Sequence, residues 1–324
     1  MQETKTTFLN KYELISSAND FKGKFNITFD KVCKFCLKNS KENTFINIPH
    51  VIPELLGKNN YTSNEECDNC NSLFGTYETD LANYICPYQT LVGQKTKDKI
   101  PNFQSRKDLN EKSTTIKYIN GSPNINFNNN LSDFHYDYAN KQISMNLKKK
   151  KFIPINVYKS LVKIGLSLCP INELKDYKKT IEWLAKNDNE QKINYDIPLN
   201  LYRTRFTNKR YEKPFATLYK RKFEITSNQY EPKLCLIVCS GVLVFQLFIP
   251  FCIETENINP ENYKLVNEIY PAFLLNIDFK GKEIIEISTS ELPIIKYDMN
   301  YCNQVEENEL INFKYKKIED FLVT

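Results

Sequence analysis

Apolar residues return at helical spacing in three stretches of the chain and alternate with polar ones in several others. Leu73, Tyr77, Leu81 and Tyr84 fall three or four positions apart, as do Val157, Leu161, Ile164 and Leu168, and then Leu174, Tyr177, Ile181 and Leu184. That spacing stacks side chains on one face of a helix. Pro170 stops the second stretch, so the last two predict a helical pair. Period-two alternation predicts strands over 114–119 and 133–147, the latter turning at 139–141. Further strands are expected at 215–223, 234–239, 242–249, 272–279 and 283–288, the last two joined around Gly281. Together these make an antiparallel sheet with the helical pair packed on it, an α+β arrangement.

Residues 234–251, LCLIVCSGVLVFQLFIPF, are about long enough to cross a bilayer. The run breaks at Ser240 and Gly241, contains Gln246 and Pro250, and is rich in β-branched and aromatic residues. A buried hairpin is therefore expected, and no membrane partner.

Composition sets the scale. With 324 residues and 41% hydrophobic content the chain can build two domains. Cysteine motifs fall within 30–90, and 91–113 is polar and basic without any period. The expected division is 1–90 as a metal-organised unit, 91–113 as a linker or exposed loop, and 114–324 as an α+β domain that binds substrate or regulates. Forty-four basic against 39 acidic residues, a net of +5, permits a polyanionic partner without demanding one. The oligomeric state is not legible.

The first residues, MQETKTTFLNKYEL, lack the apolar core and cleavage site of a secretory signal, so a cytoplasmic, reducing setting is expected. Ten cysteines then need a role other than disulfides. Cys33 and Cys36 form one CxxC and Cys67 and Cys70 another; the other six are mostly embedded in apolar runs. Two CxxC pairs separated by residues 37–66 supply four thiolates, the ligand set of a closed, structural zinc site.

Between the pairs lies TFINIPHVIPELLGKNNYTSNEE. FINI reads as a short strand that delivers Pro49 and His50; a loop around Gly57 follows, and the second pair opens a helix. Asn71 then falls in the first helical turn, where its amide oxygen can point toward His50 across one cleft. The chain has two histidines, and His135 sits in an alternating strand that needs no chemistry from it. His50 is the one placed to titrate near neutrality inside the metal unit.

CKFC, PHVIPELLG and CDNCN, in that order over about sixty residues, resemble the HNH, or ββα-metal, endonucleases. The resemblance implies a zinc-stabilised, treble-clef-like ββα-metal domain at the amino terminus that hydrolyses phosphodiester bonds, with DNA as the favoured substrate. It also implies that His50, followed three residues later by Pro53, is the general base, and that Asn71 binds a catalytic divalent ion, magnesium or manganese. One departure stands out. The family usually places an aspartate ligand directly before the base, where this chain has Pro49. Glu78, two helical turns beyond Asn71, and Glu54, four residues after His50, are the candidate replacements; either can equally be a solvated surface charge. Without a replacement, the unit becomes a noncatalytic zinc module that binds nucleic acid. A nuclease gated by a small molecule or protein activator on the larger domain is a further alternative.

Residues 202–223 interleave cations with aromatic rings. Arg203, Arg205, Lys209, Arg210 and Arg221 are the candidate phosphate contacts, with aromatics stacking on bases. The same pattern also suits a strand pair with rings inward and charges solvated.

Overall fold

The computed structural model of the chain describes residues 8–22, 31–106, 113–127, 134–186, 198–205, 210–223, 231–254 and 294–314. Its strands are β1 (Tyr12–Ser17), β2 (Phe103–Gln104), β3 (Thr115–Ile119), β4 (Ser122–Asn126), β5 (Phe134–Asp137), β6 (Gln142–Lys148), β7 (Asn200–Arg205), β8 (Tyr211–Arg221), β9 (Leu234–Gly241), β10 (Leu243–Phe248), β11 (Ile295–Asp298) and β12 (Asn308–Lys314). The main helices are α1 (Asp68–Leu91), α2 (Pro154–Leu168), α3 (Ile171–Leu174) and α4 (Lys178–Leu184).

The apolar run at 234–251 folds as a hairpin. β9 and β10 pair antiparallel with Leu243 opposite Ser240, and Gly241 turns the chain at φ +56°. Every residue of β9 is buried, because it lies inside a sheet ordered β1-β8-β9-β10-β7-β11 with α2 packed across it. Helix and sheet approach closely at Gly165, where a Cβ would stand 2.5 Å from Ile249 Cδ1. Two smaller antiparallel sheets, β2-β3-β4 and β12-β6-β5, complete the mixed helix and sheet architecture. Among the described residues no helix is long and apolar enough to cross a membrane.

Both ends of α2 are held by residues of the cysteine unit. Its N-cap position is Ile153, which has no capping side chain, and Asp80 of α1 supplies the acceptor instead, taking Ile153 N at 2.9 Å and Asn156 Nδ2 at 2.8 Å. At the other end Lys34, inside the first CxxC, donates to the carbonyls of Ser167 (3.1 Å) and Cys169 (2.7 Å). Tyr12–Ser17 is the edge strand of the large sheet, paired with β8. One apolar cluster includes Phe35, Cys67 and Tyr77 as well as Leu161, Leu236 and Phe245.

Two sequence expectations change. Residues 45–48, FINI, form no strand. Asp68, in the first turn of α1, accepts hydrogen bonds from the amides of Ile46 (3.0 Å) and Asn47 (2.9 Å), which takes those donors away from any ladder. Against what little burial it has, the side-chain hydrogen bond with Thr44 and these two amides hold the Asp68 carboxyl down at about 2. The second member of the helical pair is split into α3, a tighter turn at Lys175–Tyr177, and α4. The strands expected at 272–279 and 283–288 lie outside the described residues.

Candidate metal and catalytic site

The four cysteines converge. Cys33 and Cys67 are fully buried, Cys36 and Cys70 partly so, and all four Sγ atoms lie within 4.8 Å of one another. Cys33 and Cys70 are 3.7 Å apart and Cys36 and Cys67 3.6 Å. A tetrahedron with metal–sulfur bonds of about 2.3 Å has edges of about 3.8 Å, so the spacing fits zinc. Donors already face the sulfurs: Asn43 Nδ2 lies 3.4 Å from Cys36 Sγ and 3.3 Å from Cys67 Sγ, and Cys67 N lies 3.4 Å from Cys33 Sγ. The contact between Cys33 and Cys70 holds the Cys33 thiol well below its ordinary range and pushes Cys70 up. Four thiols this close cannot all ionise unless a cation offsets the repulsion.

His50 sits beside this site on backbone fastened to residues 61–63. Ser63 N donates to Pro49 O at 3.0 Å and Val51 N to Tyr61 O at 2.8 Å, with His50 bridged to Thr62. The ring is held by Asn59, which the sequence reading did not single out. Asn59 Nδ2 donates to the carbonyls of Ile52 (3.1 Å) and Gly57 (2.9 Å), and its Oδ1 accepts from Tyr61 N at 3.1 Å. Its oxygen is thereby turned to His50 Nδ1, 3.3 Å away. An amide oxygen only accepts, so Nδ1 carries the proton in that contact, and in the neutral ring the lone pair is on Nε2. We expect the His50 resonance pattern in long-range 1H–15N NMR to be that of the Nδ1–H tautomer. Asn59→Ala should remove about 1 kcal/mol of that preference, roughly fivefold in tautomer ratio. An Nε2–H ring in the unaltered protein would contradict the assignment.

A cleft of about 370 Å³ opens against this ring, and its walls include His50, Glu54, Asn71 and Glu78 together. Glu54 Oε2 is 3.7 Å from His50 Nε2. Neither the Asn71 amide nor the Glu78 carboxylate has a hydrogen-bond or ion-pair partner among the described residues, although both are half-buried. Burial raises the Glu78 carboxyl, with Lys163 opposing and Glu66 adding to the shift. Unpaired oxygen donors turned into a cleft suit a hard divalent ion. Among the described residues no group of three or more His, Cys, Asp and Glu side chains other than the cysteines is gathered closely enough to hold an ion. Pro49 lines the cleft and brings no ligand.

Lys163 of α2, also missed in the sequence, reaches the backbone of this site. Its Nζ donates to His50 O at 2.8 Å and pairs with the buried Glu66 at 3.1 Å. Burial pushes the Glu66 carboxyl up, and Lys163 works against it. The available signal was Lys159 and Lys163 at i, i+4 within an otherwise apolar helix; a buried lysine needs fixed acceptors.

The expected phosphate contacts divide differently. Arg203 is buried, bonds Glu309 at 3.0 and 2.7 Å, and lies over the rings of Tyr84, Tyr88 and Tyr297. Arg221 is buried too, paired with Glu254 at 2.7 Å. Neither can meet a phosphate, because each cation is already neutralised away from water. Arg205 is half-buried over Tyr88, Arg210 is exposed and donates to Val92 O, and Lys209 lies outside the described residues.

Residues 33–80 match the sequence model of a family described as HNH endonuclease. No curated protein and no solved structure matches the chain.

Proposed function

We propose that this chain is a metal-dependent HNH-type endonuclease that hydrolyses phosphodiester bonds of DNA. The observation that carries the reading is the single cleft in which His50, Glu54, Asn71 and Glu78 meet beside a four-cysteine site. In this account His50 Nε2 takes the proton from a water as its oxygen attacks phosphorus in line, opposite the departing 3′ oxygen. Glu54, 3.7 Å from Nε2, offsets the positive charge the ring gains. Asn59 keeps the correct nitrogen free, and Lys163 fixes the backbone that carries the ring. Asn71 and Glu78 would hold the divalent ion, magnesium or manganese, which offsets charge developing on the leaving group and nonbridging oxygens when bound. Cys33, Cys36, Cys67 and Cys70 would hold a structural zinc with all four positions taken by thiolate, so that it would shape the cleft without touching substrate.

Pro49 favours one other reading, a zinc-dependent module that binds nucleic acid without cutting it. Incubating the protein with supercoiled plasmid and magnesium or manganese tests the two. Nicked and linear products support the nuclease, and intact plasmid under every divalent ion tried supports the binding module.

A further inference from the structure

With Arg203 and Arg221 buried, the cations beside the cleft come from elsewhere. Past the end of α1 the chain turns through Gln94, Lys95, Thr96, Lys97, Asp98 and Lys99, and Thr96 and Lys97 form part of the cleft wall. The turn is closed on itself, with Thr96 N and Oγ1 both bonding Lys99 O at 3.1 and 2.7 Å. It is also tied to two other segments. Lys58 N donates to Lys95 O at 2.9 Å, Gln94 Nε2 donates to Glu212 O at 3.1 Å, and Arg210 bonds Val92 O. Gly57 permits the junction. Its φ is +144°, and a Cβ there would stand 2.5 Å from Gln94 Nε2 and 2.9 Å from Pro214 Cδ.

These ties collect Lys58, Lys95, Lys97, Lys99, Arg210 and Lys213 on one surface, all exposed, against the acids Asp98 and Glu212. None of the five lysines has an ion-pair partner among the described residues. Gathering six cations against two acids leaves an excess of like charge whose repulsion a polyanion relieves, and a lysine in the cleft wall joins this surface to the reacting phosphate.

We propose that this surface is a phosphate track along which the backbone of the nucleic acid runs as it leaves the His50 cleft. The track rests on the nuclease reading for its substrate, but its test does not depend on cleavage. Each phosphate neutralised by a lysine releases counterions, so the salt dependence of binding counts contacts. In a His50→Ala background without added divalent ions, binding of a short DNA duplex would be followed by fluorescence anisotropy across a range of sodium chloride. Lys95→Ala/Lys97→Ala/Lys99→Ala should make the slope of log affinity against log salt shallower by about 2–3. Lys175→Ala/Lys178→Ala/Lys179→Ala, a charge-matched change on the α3–α4 segment, should leave it unaltered. All six side chains are exposed, so both triple variants should keep the parent's melting temperature. An unchanged slope in the first variant, an equal loss in both, or no binding by the parent would overturn the track. Plasmid cleavage by the wild type, measured in parallel, separates the two claims. Cleavage with an unchanged slope removes the track alone, and a reduced slope without cleavage under any divalent ion removes the nuclease alone.

Discussion

His50→Ala is expected to lower plasmid cleavage by about 10²–10⁴-fold, the range over which a positioned general base acts, while DNA affinity and zinc content stay those of the wild type. The size of the effect follows from the absence of a substitute. The other histidine, His135, lies on β5 and is not among the residues of the cleft. Glu54 lies 3.7 Å from Nε2, and its i, i+4 position leaves it beside the imidazole rather than in its place. Alanine removes the ring without disturbing what holds the backbone, since Lys163 bonds the carbonyl of residue 50 and that carbonyl remains. Comparing initial nicking rates with anisotropy-measured affinities checks the split. If cleavage survives within a few-fold, another group takes the proton and the role given to His50 is wrong.

Loss of zinc should be felt more widely. Cys67→Ser is expected to remove the bound zinc and unfold the segment from 31 to 66, with cleavage lost as a consequence. That segment contains one 3-10 turn, Glu54–Leu56, and isolated bridges as its only regular structure among the described residues, so little else holds it. Structural zinc is worth about 10–16 kcal/mol in small zinc peptides, as much as the whole stability of a typical domain. Cys67 is also the N-cap residue of α1, and α1 carries Asn71 and Glu78 and packs on α2. Disorder at the cysteines therefore reaches the cleft directly. Metal analysis and thermal melts, with and without a strong chelator, read the effect. Cys86→Ser is the control, because Cys86 Sγ contacts Thr90 Oγ1 and Asn102 O and is not one of the four clustered cysteines, so zinc content should be unchanged. A protein purified without zinc, or one whose melt is indifferent to chelator, would contradict this account.

The legible features were those whose cause is local in sequence. Apolar spacing marked α1 and α2, the break at Ser240 and Gly241 marked the hairpin, and two CxxC pairs marked the four-cysteine cluster. That His50 and Asn71 would face one cleft was an expectation from helical register and a strand that did not form, and Glu54 and Glu78 were readable equally as ligands or as surface charges; all four line the same cleft. Features that depend on a distant partner were not legible. Arg203 looked like a solvated cation until paired with Glu309, 106 residues away, inside a ring of tyrosines. FINI carried the alternation of a strand, yet Asp68 claimed its amides. Asn59 lay in KNNY, one of several asparagine clusters, and only its three backbone contacts distinguish it. Lys163 was hidden by the apolar helix around it. Each of these depends on a tertiary contact that overrides local pattern.

The central claim is that an imidazole and a hard divalent ion share one cleft, and locating the ion tests it most directly. Crystals soaked in manganese, with data collected for anomalous scattering, should show a peak at inner-sphere distance from Asn71 Oδ1 and a Glu78 carboxylate oxygen, with a water between the ion and His50 Nε2. A fully loaded crystal with no peak in that cleft, or with manganese bound away from Asn71 and Glu78, would contradict it.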